Sequence, residues 1–258
     1  MNPPTKKQIL ATLKVAQDAF RKQDYETALE KYLWVEKNIQ DDAENLPIIW
    51  IEIGWSHYLL HNFSDAIEFF ERAMKSLYIN EKQLFDCLRL AGFSYEYTGN
   101  MDKAIAYLQD ALARNVEEGL KRYTYFELGK IFFAQNLSLE AKPYLEKARA
   151  LFSEEDKEYS QTTIYYLGFV AFFEGDNSKS EKLFREYIRQ APNPKSQAPG
   201  YFGLAHVFYE KKEYTALIDV CEKIIHLDKD FYDKETLAYF LCRGYICVLE
   251  YGSSRNQA

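Results

Sequence analysis

Glycine and proline are scarce in this chain of 258 residues, at 11 and 7. Hardly any segment alternates polar and apolar residues as a strand would. No stretch approaches the roughly 20 apolar residues needed to span a bilayer, so no membrane insertion is expected. The opening MNPPTKKQIL has no long apolar core and no small-residue cleavage site, so a signal peptide is not expected. Excess positive charge is also missing: Lys plus Arg is 32, Asp plus Glu is 39, and the net charge is −7. An acidic chain has no electrostatic footprint for nucleic acid or anionic lipid. The basic pairs Lys6-Lys7 and Lys211-Lys212 read as solvated helix positions. The four cysteines, Cys87, Cys221, Cys242 and Cys247, are too sparse for a disulfide framework. They read as buried free thiols of a reducing, cytoplasmic protein.

Catalytic signatures are absent as well. No G-x-S-x-G nucleophile motif and no phosphate-binding glycine loop occurs. The histidines are His57, His61, His206 and His226, and His57 stands where a repeated aromatic packs, which suits a core residue. Cys242 and Cys247, five apart on one helix, do not point the same way and complete no zinc set. The acidic runs 40–44 and 153–156 read as solvated caps between helices. No catalytic residue, metal site or cofactor is expected, and the chain is read as a non-enzyme.

What is present is helical periodicity from Thr5 to Tyr251, rich in Tyr (21) and Phe (18). Pro3-Pro4 precede Thr5 and Gln8, a capping-box spacing that opens the first helix. A repeat then emerges. Trp50, Ile53, Gly54 and His57 are followed by Ala66 and Phe70. The same frame returns at Leu88, Ala91, Gly92, Tyr95, then Ala104 and Leu108. It returns at Tyr125, Leu128, Gly129, Phe132, then Ala141 and Leu145, and at Ile164, Leu167, Gly168, Ala171, then Ser180 and Phe184. Weaker copies surround Ala16 and Ala205. The small-residue site runs Ala16, Gly54, Gly92, Gly129, Gly168, Ala205, Gly244, at spacings of 38, 38, 37, 39, 37 and 39.

This frame resembles the tetratricopeptide pattern W-x2-L-G-x2-Y…A-x3-F, at a period longer than the usual ~34 residues. The resemblance implies an all-α fold, a right-handed α-solenoid of about six helical hairpins in a single domain. The hairpins are placed at 5–40, 46–80, 82–116, 120–153, 157–192 and 198–229, with a terminal helix at 235–251 and a polar tail at 252–258. The extra residues are expected at helix ends or in the connectors. Glycines sit mid-helix where two helices close up, despite a propensity cost of ~1 kcal/mol each. Large residues such as Trp50, Phe70, Tyr95, Phe132 and Phe184 are expected to fill gaps between hairpins. In the turns at 61–63, 98–100, 134–136 and 174–176, Gly is expected to end one helix and Asn or Asp to cap the next. The Pro-rich stretch 192–200 reads as an inter-repeat loop.

The resemblance also implies that the first helices of the hairpins line a ligand groove. Its strongly aromatic expected lining includes Trp55, Tyr58, Arg89, Phe93, Tyr97, Phe126, Lys130, Phe133, Tyr165, Phe169, Phe173, Phe202 and Tyr209. Such a face suits an apolar or amphipathic peptide or helix. Phe93→Ala or Phe169→Ala is then expected to weaken binding without unfolding the array. Relatives that clamp a peptide carboxylate use Lys, Asn and Arg; the matching sites here are Leu13, Gln17, Glu52, Asp86 and Leu90, so that clamp is missing. Arg89 and Lys130 are left as inner-face cations that anchor an acidic ligand residue. The terminal helix is apolar on nearly every face. It either mediates a homodimer through Leu237, Phe240, Leu241, Ile246 and Leu249 or folds against the groove. The expected function is therefore a protein-interaction scaffold or adaptor. The alternatives are a self-associating scaffold and a regulatory arm of an enzyme complex.

Overall fold

Thr5 opens the first helix as its spacing to Gln8 predicts. The Thr5 hydroxyl accepts from the Gln8 N–H, and the Gln8 side chain accepts from the Thr5 N–H at 2.8 Å. The structure is a computed structural model that describes residues 3–255, with side chains for residues 3–250. Thirteen α-helices and three short 3₁₀ turns make up the described residues. Twelve of the helices pair as hairpins: α1 (Lys6–Arg21) with α2 (Tyr25–Asn38), α3 (Leu46–Leu59) with α4 (Phe63–Met74), and α5 (Glu81–Tyr97) with α6 (Met101–Leu112). The series continues with α7 (Arg122–Ala134) and α8 (Ser138–Leu151), α9 (Lys157–Phe173) and α10 (Asn177–Gln190), then α11 (Ala198–Glu210) and α12 (Tyr214–Leu227). The last helix is α13 (Lys234–Arg255).

All six hairpins turn in one way. Gln23, His61, Gly99, Asn136, Gly175 and Lys212 have φ between 59° and 80°, each seven residues beyond the small-residue site of its repeat. The next residue's N–H then bonds back five positions: Asp24 to Ala19, Asn62 to His57, Asn100 to Tyr95, Leu137 to Phe132, Asp176 to Ala171 and Glu213 to Phe208, at 2.9–3.0 Å. This is the Schellman closure, which satisfies carbonyls at the end of a helix. Glycine supplies the left-handed residue in only two of the six turns. Asn136 takes that position and does not cap, contrary to the expected division of labour. Capping also departs from expectation: Asp24, Asn100 and Asp176 accept from the N–H three residues on, whereas Asn62, Leu137 and Glu213 form no side-chain cap.

The turns within hairpins are three residues long throughout, so the lengthened period resides outside them, in the helices and the connectors between hairpins. Capping boxes also open α5, through Asn80 and Gln83, and stiffen the connector before α9, through Ser153 and Asp156. Asp156 is buried there, so this acidic run is only in part the solvated cap expected. The Pro-rich connector contains a 3₁₀ turn at Lys195–Gln197, and Pro199 falls in the first turn of α11, where no N–H is required.

The residues form two compact units, 1–128 and 129–258, and the boundary falls inside α7. In the first unit, Ala16, Ala28, Tyr32, Val35, Ile49 and Ile53 make one core cluster; Phe85, Leu88 and Ala111 make another. A Cβ placed on Gly54 would lie 2.7 Å from the Phe70 ring, and one on Gly92 would lie 2.7 Å from Leu108. In the second unit the same closeness joins Gly168 to Phe184 at 2.7 Å. Phe70 and Phe184 thus fill the interior of their own hairpins, and Phe184 also faces Gly203 of the next.

The second unit's core is heavily aromatic, with Phe169, Phe184, Phe202, Phe208, Phe231 and Phe240 all buried. Here the terminal helix departs from expectation. It extends to Arg255, so residues 252–255, expected as tail, are helical, and only 256–258 lie outside the described residues. Leu237 and Phe240 are 4 % exposed and belong to the unit's own core, with Leu241 packed against it. They are not free for a second copy, which corrects the expected dimer set; Ile246 and Leu249 remain exposed at 46 % and 70 %. Cys242 is exposed too, whereas Cys87, Cys221 and Cys247 are buried as expected. Among the described residues no helix is long and apolar enough to cross a membrane.

Candidate functional site

In the first unit α3 reads LPIIWIEIGWSHYL, and Glu52 is its one acidic residue. Ile48, Glu52 and Trp55 stand four and three residues apart, so they share one helix face. Opposite this face α1 presents Ile9, Leu10, Leu13 and Gln17. Between them, and under the connector 38–45, opens a cleft of about 730 Å³. That volume falls in the range of small-ligand sites, roughly 300–1,000 Å³. Leu10 and Ile48 are exposed at its mouth. Asp42 is tied by Asn45 at 2.9–3.1 Å, which folds the connector over the cleft.

The same face of the first unit continues as a row of rings. Trp55 meets Tyr58 edge-on at 6.4 Å, Tyr58 meets Phe63 at 5.8 Å, and Phe63 stacks on Tyr97 at 4.3 Å with planes 5° apart. Tyr97 is 64 % exposed. The Arg89 guanidinium lies 5.6 Å from the Trp55 ring and bonds Asp86 at 2.8 Å. Its charge is already met, so it is not the open anchor for an acidic ligand that the sequence led us to expect. Phe93 and Phe126 are 8 % and 5 % exposed and are core residues, not groove surface.

In the second unit the expected lining is largely packed against itself. Phe169 and Phe202 are 7 % and 4 % exposed. Phe133 contacts Tyr166, Phe169 and Phe173 at 5.0–6.4 Å, and Phe173, at 60 % exposure, is the ring most open to solvent in that group. The connector before α13 covers two more sites: Tyr232 bonds the Tyr165 hydroxyl at 3.1 Å, and Phe231 packs on Phe202 at 5.1 Å. Tyr209 is held by the Tyr239 hydroxyl at 2.8 Å from α13. Lys130 is half-buried on α7. Core filling therefore accounts for most of the aromatic surplus in this unit.

His206 sits inside that core, with the rings of Phe202, Phe240, Phe169 and Phe172 at 4.8–5.8 Å. Burial pushes its pKa down to about 4, with Asp233 opposing weakly. A neutral imidazole among phenyl rings is a packing element. His57 is likewise buried, stacked on Phe69 at 5.6 Å; burial lowers its pKa against the pull of Asp65 and Glu68. Among the described residues no group of His, Cys, Asp and Glu side chains is arranged to hold a metal ion.

The sequence reading passed over Leu10 and Ile48, named Glu52 only as a groove position where a basic clamp is missing, and named Phe63 only as a turn residue. Glu52 carried a legible signal, a lone carboxylate in an apolar helix. Phe63 did not, because it stands at the start of a second helix and joins the row only through the hairpin turn.

A family model of the tetratricopeptide repeat matches residues 87–120, the segment holding α5 and α6. That hairpin therefore matches the tetratricopeptide repeat. No curated protein matches the chain's sequence. Among solved structures, the chain resembles the apo form of RapI at 13 % identity and a TM-score of 0.67, covering 95 % of this chain and 73 % of that one. It resembles YrrB, described as a TPR protein with an unusual peptide-binding site, at 19 % identity and a TM-score of 0.64, covering 80 % and 96 %. The apo form of the quorum sensor NprR from B. thuringiensis aligns at 15 % identity and a TM-score of 0.63, covering 94 % and 76 %. At such identities these likenesses establish the all-α repeat fold, and no catalytic family is indicated.

Proposed function

We propose that this chain is a non-enzymatic interaction scaffold, acting in the cytoplasm, that captures a peptide or helix on the first unit. The observation that carries this reading is the open cleft between α1 and α3, continuous by helix face with Trp55 and the ring row ending at Tyr97. Ile48 to Tyr58 spans ten residues of α3, about 15 Å of helix. An extended peptide covers that distance with four or five residues. Large rigid rings with a polar rim are the usual anchors of such interfaces. The described binding of peptide by YrrB accords with this use of the fold, though fold alone assigns no function.

Peptides selected from a displayed random library against the full chain test the reading. They should lose binding to the double variant Leu10→Asp/Tyr97→Ala, whose substitutions fall on exposed residues and leave far-UV circular dichroism unchanged. Selected peptides that hold the variant as tightly as the parent would remove the first unit's face as the site.

A second reading is self-association through the outer side of α13. Tyr245, Ile246, Val248 and Leu249 are 39–70 % exposed there. Light scattering on the same samples decides it: a mass that stays monomeric across concentration discards the assembly.

A further inference from the structure

The cleft between α1 and α3 is not neutral. Asp41, Asp42, Glu44 and Glu52 line it, and Lys6 is the one cation among the lining residues. Asp42 is engaged by Asn45, and Asp41 and Glu44 stand at the solvent rim. Glu52 differs from these two in being half-buried, and the apolar Leu13 and Ile49 line the cleft with it. Its carboxylate accepts a single long hydrogen bond from the Tyr32 hydroxyl, 3.4 Å. Among the described residues no Lys, Arg or His stands within ion-pair distance of it. A half-buried carboxylate facing a cavity, with apolar walls and no counter-cation, is matched by a ligand that brings the cation with it.

We infer that the cleft takes a Lys or Arg side chain of an amphipathic peptide, with the ammonium or guanidinium at Glu52 and the methylene stem along Leu13 and Ile49. This inference rests on the peptide-scaffold reading and names the chemistry of its ligand. A long basic side chain suits both parts of the site, since its stem buries against apolar surface and its head does not. Burial raises the Glu52 carboxyl above the ordinary carboxylate range, opposed by the Tyr32 hydrogen bond. A charge already deprived of water gains more from a partner than a solvated one does. Asp41 and Glu44 at the rim draw a basic peptide towards the mouth, an attraction that salt screens over a Debye length of about 10 Å at 0.1 M. The acidic rim equally disfavours a ligand with Asp or Glu at that position. This reverses the charge preference that Arg89 and Lys130 suggested from sequence.

The test uses the full chain and three immobilised peptide series of random Leu, Ile, Ala and Ser, with one fixed position as Lys, norleucine or Glu. Norleucine keeps the stem and removes the charge. The Lys series should be retained at least about tenfold better than norleucine, a factor expected of one charge-assisted hydrogen bond, and the Glu series should not be retained. Glu52→Gln, which keeps shape and the Tyr32 contact, should erase the Lys preference while norleucine retention stays unchanged. Gln17→Lys, an exposed substitution in the cleft wall, should depress the Lys series alone and so checks the site without altering Glu52. Equal retention of Lys and norleucine by the parent chain would overturn the inference and leave the peptide-scaffold reading standing. A Lys preference that survives both substitutions would overturn the placement at Glu52. Retention of no series would overturn both readings together.

Discussion

Gly203 is the position where packing and helix propensity oppose each other most sharply. An added Cβ there would lie 2.3 Å from two atoms of the Phe184 ring and 2.5 Å from a third. Carbon atoms prefer about 3.5–4.0 Å, so the ring would have to retreat by more than an ångström. Phe184 has no room to do so. It is fully buried, a Cβ on Gly168 would stand 2.7 Å from the same ring, and Phe169 abuts it at 4.9 Å. Gly203→Ala gains ~1 kcal/mol of helix propensity. Overpacking a rigid core costs about 1–3 kcal/mol, and a ring closed in on two sides belongs at the upper end. The expected net is a loss of about 1–2 kcal/mol, a fall in Tm of roughly 2–8 °C for a chain of this size. Urea unfolding followed by far-UV circular dichroism measures it. Leucine occupies the equivalent place at Leu108 and Leu145. Phe184→Leu should therefore relieve the clash, and the double variant should be more stable than the sum of the singles by about 0.5–2 kcal/mol. A Gly203→Ala chain more stable than the parent, or strict additivity with Phe184→Leu, would refute the steric argument.

Two further outcomes follow from the same packing. Lys212 is exposed and holds φ at 59°, a left-handed backbone that costs an L-residue about 1–2 kcal/mol; after the extra unfolded-state freedom of glycine, Lys212→Gly should stabilise the chain by about 0.5–1 kcal/mol in the same urea assay. His206 must stay neutral in the fold while the unfolded chain protonates it near pH 6.5; its stabilisation is complete above that pH and is lost as pH falls towards about 4, at most ~3 kcal/mol, and His206→Leu should flatten this part of the pH–stability curve. The buried state of Phe93 and Phe169 also revises how the ligand face is probed: truncating a buried Phe costs about 3–5 kcal/mol, so these variants report folding before they report binding.

The spacing of small residues fixed the hairpins from the chain alone, because two helices can close up only where Cβ is small or missing, and that need recurs once per repeat. The Thr5–Gln8 cap was equally legible, being local. The left-handed turn residues were half legible: Gly99 and Gly175 announce themselves, but Gln23, His61 and Lys212 adopt the same backbone because the Schellman bonds on either side enforce it. Which aromatics are surface and which are core was decided only in three dimensions. A period of 3.6 residues places Phe93, Tyr97, Phe169 and Phe173 on similar helix faces, yet exposure depends on what the neighbouring hairpin brings. In the second unit Tyr232 arrives from a connector more than sixty residues beyond Tyr165 and closes over it, while its neighbour Phe231 packs on Phe202. In the first unit the α1–α3 cleft stays open, and Glu52, legible in the sequence only as the lone carboxylate of an apolar helix, is left facing it without a cation.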